Sequence, residues 1–274
     1  LSLILYIVSH YSTKLFICLL FIVQCTGAAA EQRFTAGSDA NTKNLSAALA
    51  EADYPPFYFV DDKDRLSGIS IDVLEYIAPK LGYSIDYKRL SWPRVLKSLE
   101  LGSVDMVTTF FNTGERATHV VYTGVPHAVE SNHFIALSST TVTYTGNLSD
   151  MESLSIGTIR GYSYGQTFDD ADFLKKVPVL DEPTLVRMLF ASRFEIAVGN
   201  PFAVKLQVKR QGYQRELRVI EPPIDVSPIY MGVSRKHTEA LGIAAELTSA
   251  IVKFRNADQY KKLLQKYGME QLAF

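Results

Sequence analysis

The chain has 274 residues, long for one domain and comfortable for two. Hydrophobic residues make up 47% and charged residues 21%, the balance of an ordinary globular protein and not of a disordered or fibrous one. The formal net charge is −1 with no block of like charge, so electrostatics offers no argument for nucleic acid or a membrane surface as partner.

In chain order, the first thirty residues stand apart. "LSLILYIVSHYSTKLFICLLFIVQCTGAAA" holds one charged residue, Lys14, followed by the apolar run 15–23 and small residues through Ala30. This is the order of a secretory signal, with a basic n-region, a short apolar h-region and an A-x-A cleavage site. A spanning helix needs about 20 consecutive apolar residues. The stretch from His10 to Lys14 separates the run from apolar residues 1–8, which is what an uncleaved anchor, the competing reading, would have to bridge. Residues 1–30 are expected to be a signal peptide, cleaved after about Ala30. Cys18 and Cys25 both lie in it, so the mature chain is expected to have no disulfide, thiol nucleophile or cysteine-held metal. Bulky Gln24 before Cys25 argues against a lipidation site.

Residues 31–45 are polar and are expected to form a loose lead-in. "PFYFVDD" reads as a strand into a turn. "GISIDVLEYIAPKLGY" reads as a helix with Val73, Leu74, Ile77 and Leu81 on one face and Gly82 at its end. "SIDYKRL" is a strand, "WPRVLKSLELG" a helix with Pro93 in its first turn and Gly102 past its end, and "VDMVTTFF" a strand. The pattern then restarts after "HFIALSS": strand "LSIGTI", helix "GQTFDDADFLKKV", strand "VPVL", helix "TLVRMLFASR", strand "FEIAVG". A later strand, "IYMGVSR", precedes two C-terminal helices. Repeated β-α-β order argues for open, mostly parallel sheets with ligands at the carboxyl ends of the strands. Two such lobes joined by two extended crossings would leave a cleft between them.

"YPPFYFVDDKDRLSGISIDVLEYIAPKLGY" and "SWPRVLKSLELGSVDMVTTFFNTGER" carry the motifs Y-x-P-F, D-x-x-x-x-L-x-G-x-x-x-D-V, W-x-x-x-x-x-x-L-x-x-G-x-x-D and T-x-E-R. In this order, followed by "YTGVPH", "IGTIRGYSYGQTF", "RFEIAVGNPFAV" and "YMGVSRKH...QYKKLLQKYG", they resemble the bacterial extracellular solute-binding proteins of the amino-acid-binding type, the receptor components of ABC importers. The resemblance covers about residues 45–268. It implies a two-lobed periplasmic-binding-protein (Venus-flytrap) fold of the α/β class, two open mostly parallel sheets joined by two hinge strands. One lobe would comprise 45–134 plus 234–274 and the other 139–228, closing by hinge motion at the crossings. It further implies a periplasmic monomer that binds a small carboxylate-bearing solute and delivers it to an ABC permease of the inner membrane, with no cofactor, no metal and no catalysis.

Site residues follow from the same motifs. Arg116 can grip a carboxylate with two parallel hydrogen bonds; alone it also reads as a surface residue paired with Glu115, and the resemblance makes it the ligand's carboxylate receptor. Thr108 and Thr109 end the strand before it and match ligand-contacting positions, although buried strand threonines are the plain alternative. Phe111 departs from the pattern, standing where Thr or Ser is common. Tyr54 and Trp92 match the aromatic walls of the pocket. Gly161-Tyr162-Ser163-Tyr164-Gly165 has the G-x-S-x-G form of a hydrolase nucleophile elbow. His237 and Asp181 or Asp225 supply the order Ser, acid, His, yet His237 sits in "SRKHTEA", expected in the other lobe. The favoured reading is an amide-rich bend before a helix, where Ser163 and backbone N–H groups receive an anion opposite Arg116 and Tyr162 and Tyr164 add aromatic wall. Arg160 reads equally as added charge or as a solvated residue.

One departure concerns the ligand itself. Amino-acid-binding members usually carry an acid for the ligand's ammonium just before x-P of a second-lobe strand. Here "AVGNP" places Gly199 there, with Asn200 next. The expectation is a carboxylate or other anion without a conventional α-amino contact, or replacement of that contact by Asn200 and a carbonyl. Two other functions compete. The same module serves as a sensor for a membrane kinase or cyclase; a chain that stops at Phe274 without a further span is expected to speak against a fused sensor. Cyclodehydratases on this fold share "SWP", but "RGYSYG" lacks a Gly-Gly-Thr-Asn-Glu-type loop and an acid placed for proton transfer. His119, His127 and His133 have no metal-like spacing and read as structural or surface residues.

Overall fold

A computed structural model describes residues 42–270. The expected signal peptide and its cleavage site, Cys18, Cys25 and the lead-in through residue 41 lie outside the described residues. The first strand is β1 (Lys43–Ala50), which residues 31–45 and "PFYFVDD" do not announce. Its sequence KNLSAALA lacks the β-branched residues that usually mark a strand. Its small side chains matter for another reason: Ala47 and Ala48 are both fully buried, one on each face, so other elements pack closely on both sides. "PFYFVDD" instead folds into a turn closed by a Tyr54–Tyr58 bridge, with two two-residue strands, β2 (Phe59–Val60) and β3 (Leu66–Ser67).

Helix α1 (Ile69–Ile77) follows, then a 3-10 turn (Pro79–Leu81) ended by Gly82 at φ 75°. β4 (Tyr83–Leu90), α2 (Trp92–Leu101) and β5 (Met106–Phe110) lie where the sequence places them, and Gly102 caps α2 at φ 74°. A single turn α3 (Gly114–Ala117) and β6 (Val120–Tyr122) lead into β7 (Ala128–Leu137). The second half contains β8 (Ser155–Ile159), α4 (Gln166–Asp169), β9 (Lys175–Val179), α5 (Glu182–Phe190), β10 (Ile196–Gly199), α6 (Pro201–Arg210) and β11 (Leu217–Ser234). Helices α7 (Ala240–Arg255) and α8 (Asp258–Lys266) close the described chain.

Two further elements differ from expectation. The helix expected over "GQTFDDADFLKKV" is one turn, because the Asp169 carboxylate folds back onto Ser163 and the Tyr164 N–H and competes with helix propagation. Helix α6 was not expected. Its signals are local: Asn200 accepts from the Phe202 and Ala203 N–H groups as N-cap, and Pro201 occupies the first helical position.

The strands run in the order β4-β1-β5-β11-β7-β10-β8-β9, with β6 on β11. Pairs β4/β1, β1/β5, β10/β8 and β8/β9 are parallel. The centre is antiparallel: β5/β11, β11/β7 and β7/β10. A parallel end is buried on both faces, and each end here is covered on both. The first is packed by α1, α7 and α8 on one face and by α2 through Val95 and Leu99 on the other. The second is packed by Tyr144, Met151 and Phe168 on one face and by α5 and α6 on the other. The result is the two-lobed periplasmic-binding-protein architecture. Strands β7 and β11 form a ribbon running between the lobes. It pairs at Phe134–Leu137 with Leu217–Ile220 and at Ala128–Asn132 with Asp225–Ile229, with a register shift between Ile220 and Asp225.

Gly68 sets the turn into α1. Its φ is +128°, and a Cβ there would lie 2.3 Å from the Phe57 carbonyl oxygen. Gly68→Ala combines a backbone clash with a disfavoured φ, and a loss of about 3 kcal/mol is expected. Urea denaturation of the variant beside Gly82→Ala, whose Cβ would have nothing within 4 Å, checks this: the Gly68 substitution should cost clearly more.

Candidate functional site

The carboxyl ends of β1 and β5 face the loops after β8 and β10 across the ribbon. Between them lies a cavity of about 40 Å³. Tyr54, Tyr58, Trp92, Phe111 and Tyr162 form its walls, and Thr109, Arg116, Glu130, Ser163 and Ile229 complete the lining. Tyr162 packs edge-on to both Trp92 and Tyr54, with ring centroids 5.1 and 6.0 Å away. It also touches the cores of both lobes. An open groove of about 930 Å³, bordered by α3 and the 158–166 segment, adjoins the cavity.

Arg116 sits in α3, whose start is fixed by Thr113 accepting from the Arg116 N–H at 3.3 Å. Its guanidinium donates to the carbonyls of Phe111 (3.3 Å) and Gly161 (2.9 Å) and lies 4.5 Å from the Phe110 ring centroid. Trp92 Nε1 donates to the same Gly161 carbonyl at 3.0 Å. Arg116 therefore does face the 161–165 bend, through a carbonyl and not through amides. Burial pulls its pKa below the ordinary guanidinium value, opposed by Tyr122 and Asp169; an arginine stays charged through such a shift.

The bend itself is occupied from within. Ser163 Oγ donates to Asp169, and the Tyr164 N–H donates to the same carboxylate at 2.9 Å. The amide-rich receptor expected here already holds an internal carboxylate, and α4 is too short to be a helix-terminus anion site. Among the described residues Ser163 has no histidine partner; His237 lies beside Asp105 in the first lobe. Tyr164 turns away from the cavity into the second-lobe core, where its hydroxyl accepts from the Ile159 N–H. Arg160 is exposed.

Thr109 lines the cavity, while Thr108 is fully buried behind it. Their hydroxyls continue a buried chain: Thr108 to Thr109 at 3.3 Å, Thr109 to Ser70 at 2.8 Å, Ser70 to His127 at 2.8 Å. Burial drives the His127 pKa down to about 3, so this imidazole is neutral. Asn200 does not line the cavity. Its carbonyl oxygen caps α6, and its amide donates to Glu130 at 3.2 Å.

Glu130, in the middle of β7, is the residue the sequence reading missed. It is 2% exposed and accepts from Tyr54 and Asn200 through one oxygen, Oε1. Burial pushes its carboxyl up to about 7 against those two donors. Glu182, 3% exposed, accepts from the Tyr162 hydroxyl at 2.8 Å and is likewise raised by burial to about 7. The available signal was an acid inside the strand "AVESNHFIAL", in phase with buried Ala128 and Asn132. On the rim, Asp53 receives Arg89 of β4 at 2.6 Å and Arg210 of α6 at 2.5 Å, an ion cluster joining the lobes. Burial alone would raise Asp53; the two guanidinium hydrogen bonds outweigh it and hold the carboxyl below its ordinary range.

Two α/β lobes strung on a two-strand ribbon, with an aromatic cavity at their junction, define a receptor of the periplasmic-binding-protein class. The chain belongs to the bacterial extracellular solute-binding proteins, family 3, whose profile matches residues 48–270. Family 3 consists of solute-binding proteins. A probable histidine-binding protein of Campylobacter jejuni is 30% identical over 139 residues, and the chain spans about half (52%) of that relative's length. The probable amino-acid-binding protein YxeM of Bacillus subtilis is 19% identical over 79% of this chain and 81% of its own. Among solved structures, a histidine kinase sensor domain similar to periplasmic binding proteins superposes with a TM-score of 0.72 at 17% identity, covering 83% of this chain and 96% of that one. An ancestral arginine-binding protein bound to glutamine gives 0.70 at 21% identity, covering 83% and 98%. No helix among the described residues is long and apolar enough to cross a membrane.

The two raised carboxyls set a pH dependence. Their folded pKa values, about 7, lie above the unfolded carboxylate range near 4.3, so the folded state binds more protons between these limits. Without added solute, stability is expected to fall as pH rises from about 5 to 7 and then to level. Melting temperatures of wild type and Glu182→Gln across this range check it; the variant should show the shallower slope.

Proposed function

We propose that the protein is an exported periplasmic receptor that captures a small carboxylate-bearing solute, an amino acid or related polar metabolite, and delivers it to an ABC permease of the inner membrane. The observation that carries the reading is Arg116: a half-buried guanidinium at an aromatic cavity that donates to two backbone carbonyls and has no ion pair among the described residues. Carbonyls are weaker partners for a desolvated cation than a carboxylate, which matches the planar fork with two charge-assisted bonds. A solute carboxylate entering between Arg116 and the bend displaces the Gly161 carbonyl from the guanidinium. Tyr54, Trp92 and Tyr162 enclose its carbon skeleton, and Thr109 offers a hydroxyl. Thr108, Ser163 and Asn200 support this wall from behind or through partners of their own.

The lobes divide at 45–134 plus 234–274 and 139–228 in this reading, residues 1–30 direct export, and the receptor works as a monomer without cofactor, metal or catalysis. Capture is a hinge motion at β7 and β11, since a cavity of about 40 Å³ admits an amino acid only if its walls part. Relatives named as amino-acid- and histidine-binding proteins support the solute class. A second reading, a receptor that reports its solute to a signalling partner, is favoured by the likeness to a histidine kinase sensor domain.

Arg116→Lys keeps the charge and loses the fork. Isothermal titration with a panel of amino acids and small organic acids is expected to give binding about 10- to 100-fold weaker than wild type, and Arg116→Ala weaker still. Unchanged affinity in Arg116→Ala would refute the carboxylate role.

A further inference from the structure

The chain-wide charge of −1 conceals an uneven distribution. From the start of α5 to the turn after α6, residues 182–215 hold six basic and two acidic side chains, a net charge of +4 that leaves −5 for the remainder. Folding sorts these charges further. Glu182 is buried against the Tyr162 hydroxyl, and Arg210 turns to Asp53 at the rim. The other five cations, Arg187, Arg193, Lys205, Lys209 and Arg215, are exposed. None of them forms an ion pair among the described residues. Glu195, the second acid of the segment, is held by the Ser155 N–H at 2.6 Å and by the Ser155 hydroxyl. Of the two acids that flank the segment, Asp181 is committed to the α5 N-cap, where it accepts from the Thr184 N–H at 2.8 Å, and Glu216 stands at the edge.

Helices α5 and α6 cover the same face of the second lobe's sheet, through Leu185, Val186 and Leu189 of the one and Val204 of the other. Their exposed sides therefore look outward the same way. On α6, Phe202, Lys205 and Lys209 stand at i, i+3 and i+7, on one side of the helix, and Phe202 is 49% exposed. A basic helix face with an exposed aromatic ring suits an anionic lipid surface: the cations meet phosphates, and the ring enters the boundary between headgroups and acyl chains. An acidic protein would answer the cations alone and leaves Phe202 without a role.

We propose that the α5–α6 face docks the protein on an anionic phospholipid surface. The overall balance of charge offers no argument for a membrane; the placement of the charges does. The patch belongs to the second lobe alone, so docking leaves the first lobe free to part from it. A receptor held at the membrane has a raised effective concentration near a permease. The inference goes beyond the receptor reading and draws on none of the cavity residues.

Co-sedimentation of the mature chain with vesicles tests this, using phosphatidylcholine alone and equal parts of phosphatidylcholine and phosphatidylglycerol. At low ionic strength the anionic vesicles should bind about 10-fold or more tightly than the neutral ones, and the difference should shrink as salt rises to about 0.5 M. Lys205→Glu/Lys209→Glu should remove most of the preference. Lys261→Glu/Lys262→Glu makes the same change of net charge at exposed positions of α8 and should leave the preference within about twofold. Phe202→Ser should weaken the binding that persists at high salt. Melting temperatures and solute titrations of these variants, expected to match wild type, show that fold and cavity are intact. Equal binding to both vesicle types, no binding to either, or equal losses in the two double variants overturns the proposal. So does capture on poly-glutamate beads without binding to anionic vesicles, which would assign the face to an acidic protein. None of these outcomes touches the receptor reading, which is decided by solute titration.

Discussion

One small aromatic cavity is lined by a half-buried guanidinium, Arg116, and a buried carboxyl, Glu130, that do not pair with each other. That constraint organises the site. Arg116 and Glu130 would lower each other's cost by pairing directly, as Asp53 does with Arg89 and Arg210 on the rim. Instead each is fixed by rigid neutral groups on its own side. A buried ionic group left without its counter-ion costs free energy, and here the cost falls at the place where a solute would repay it.

The fold makes this separation possible. Arg116 belongs to the short turn after β5, at the carboxyl edge of the first lobe's sheet. Glu130 belongs to the ribbon, where it stands opposite Ser227 of β11. Parallel ends and an antiparallel middle put the loop-bearing edges of two sheets face to face, with the ribbon as floor. Tyr162 packs against the cores of both lobes, and the Gly161 carbonyl accepts from Trp92 and Arg116 together. At this point of the cleft the lobes meet through one bend and the side chains of Trp92 and Arg116, beside the Tyr54–Tyr162 ring contact and the Asp53–Arg210 ion pair.

Much of this was legible in the sequence. The α1, α2 and α5 faces, the Gly82 and Gly102 terminators and strands β4, β5, β8 and β10 follow from periodicity and local caps, where local and tertiary demands agree. Arg116, Trp92, Tyr54, Thr109 and Tyr162 were named from motif spacing, and the folded chain brings all five to one cavity. What escaped depends on long-range packing. β1 is a strand because β4 and β5 flank it, not because KNLSAALA favours extended backbone. The G-x-S-x-G bend looked open to an anion because nothing local says that Asp169 turns back into it. Glu130 escaped for the complementary reason: an acid on β7 is significant only once the ribbon is known to form the floor.

That position has a mechanical meaning. The Tyr54 hydroxyl comes from the first lobe, the Asn200 amide from the N-terminus of a second-lobe helix, and Glu130 itself from a strand that runs between the lobes. One carboxylate oxygen is thus shared by the three parts that must move relative to one another when the cleft opens. Parting the lobes would have to lengthen or break at least one of these two bonds, so the Glu130 carboxyl helps to hold the arrangement in which the two lobes meet.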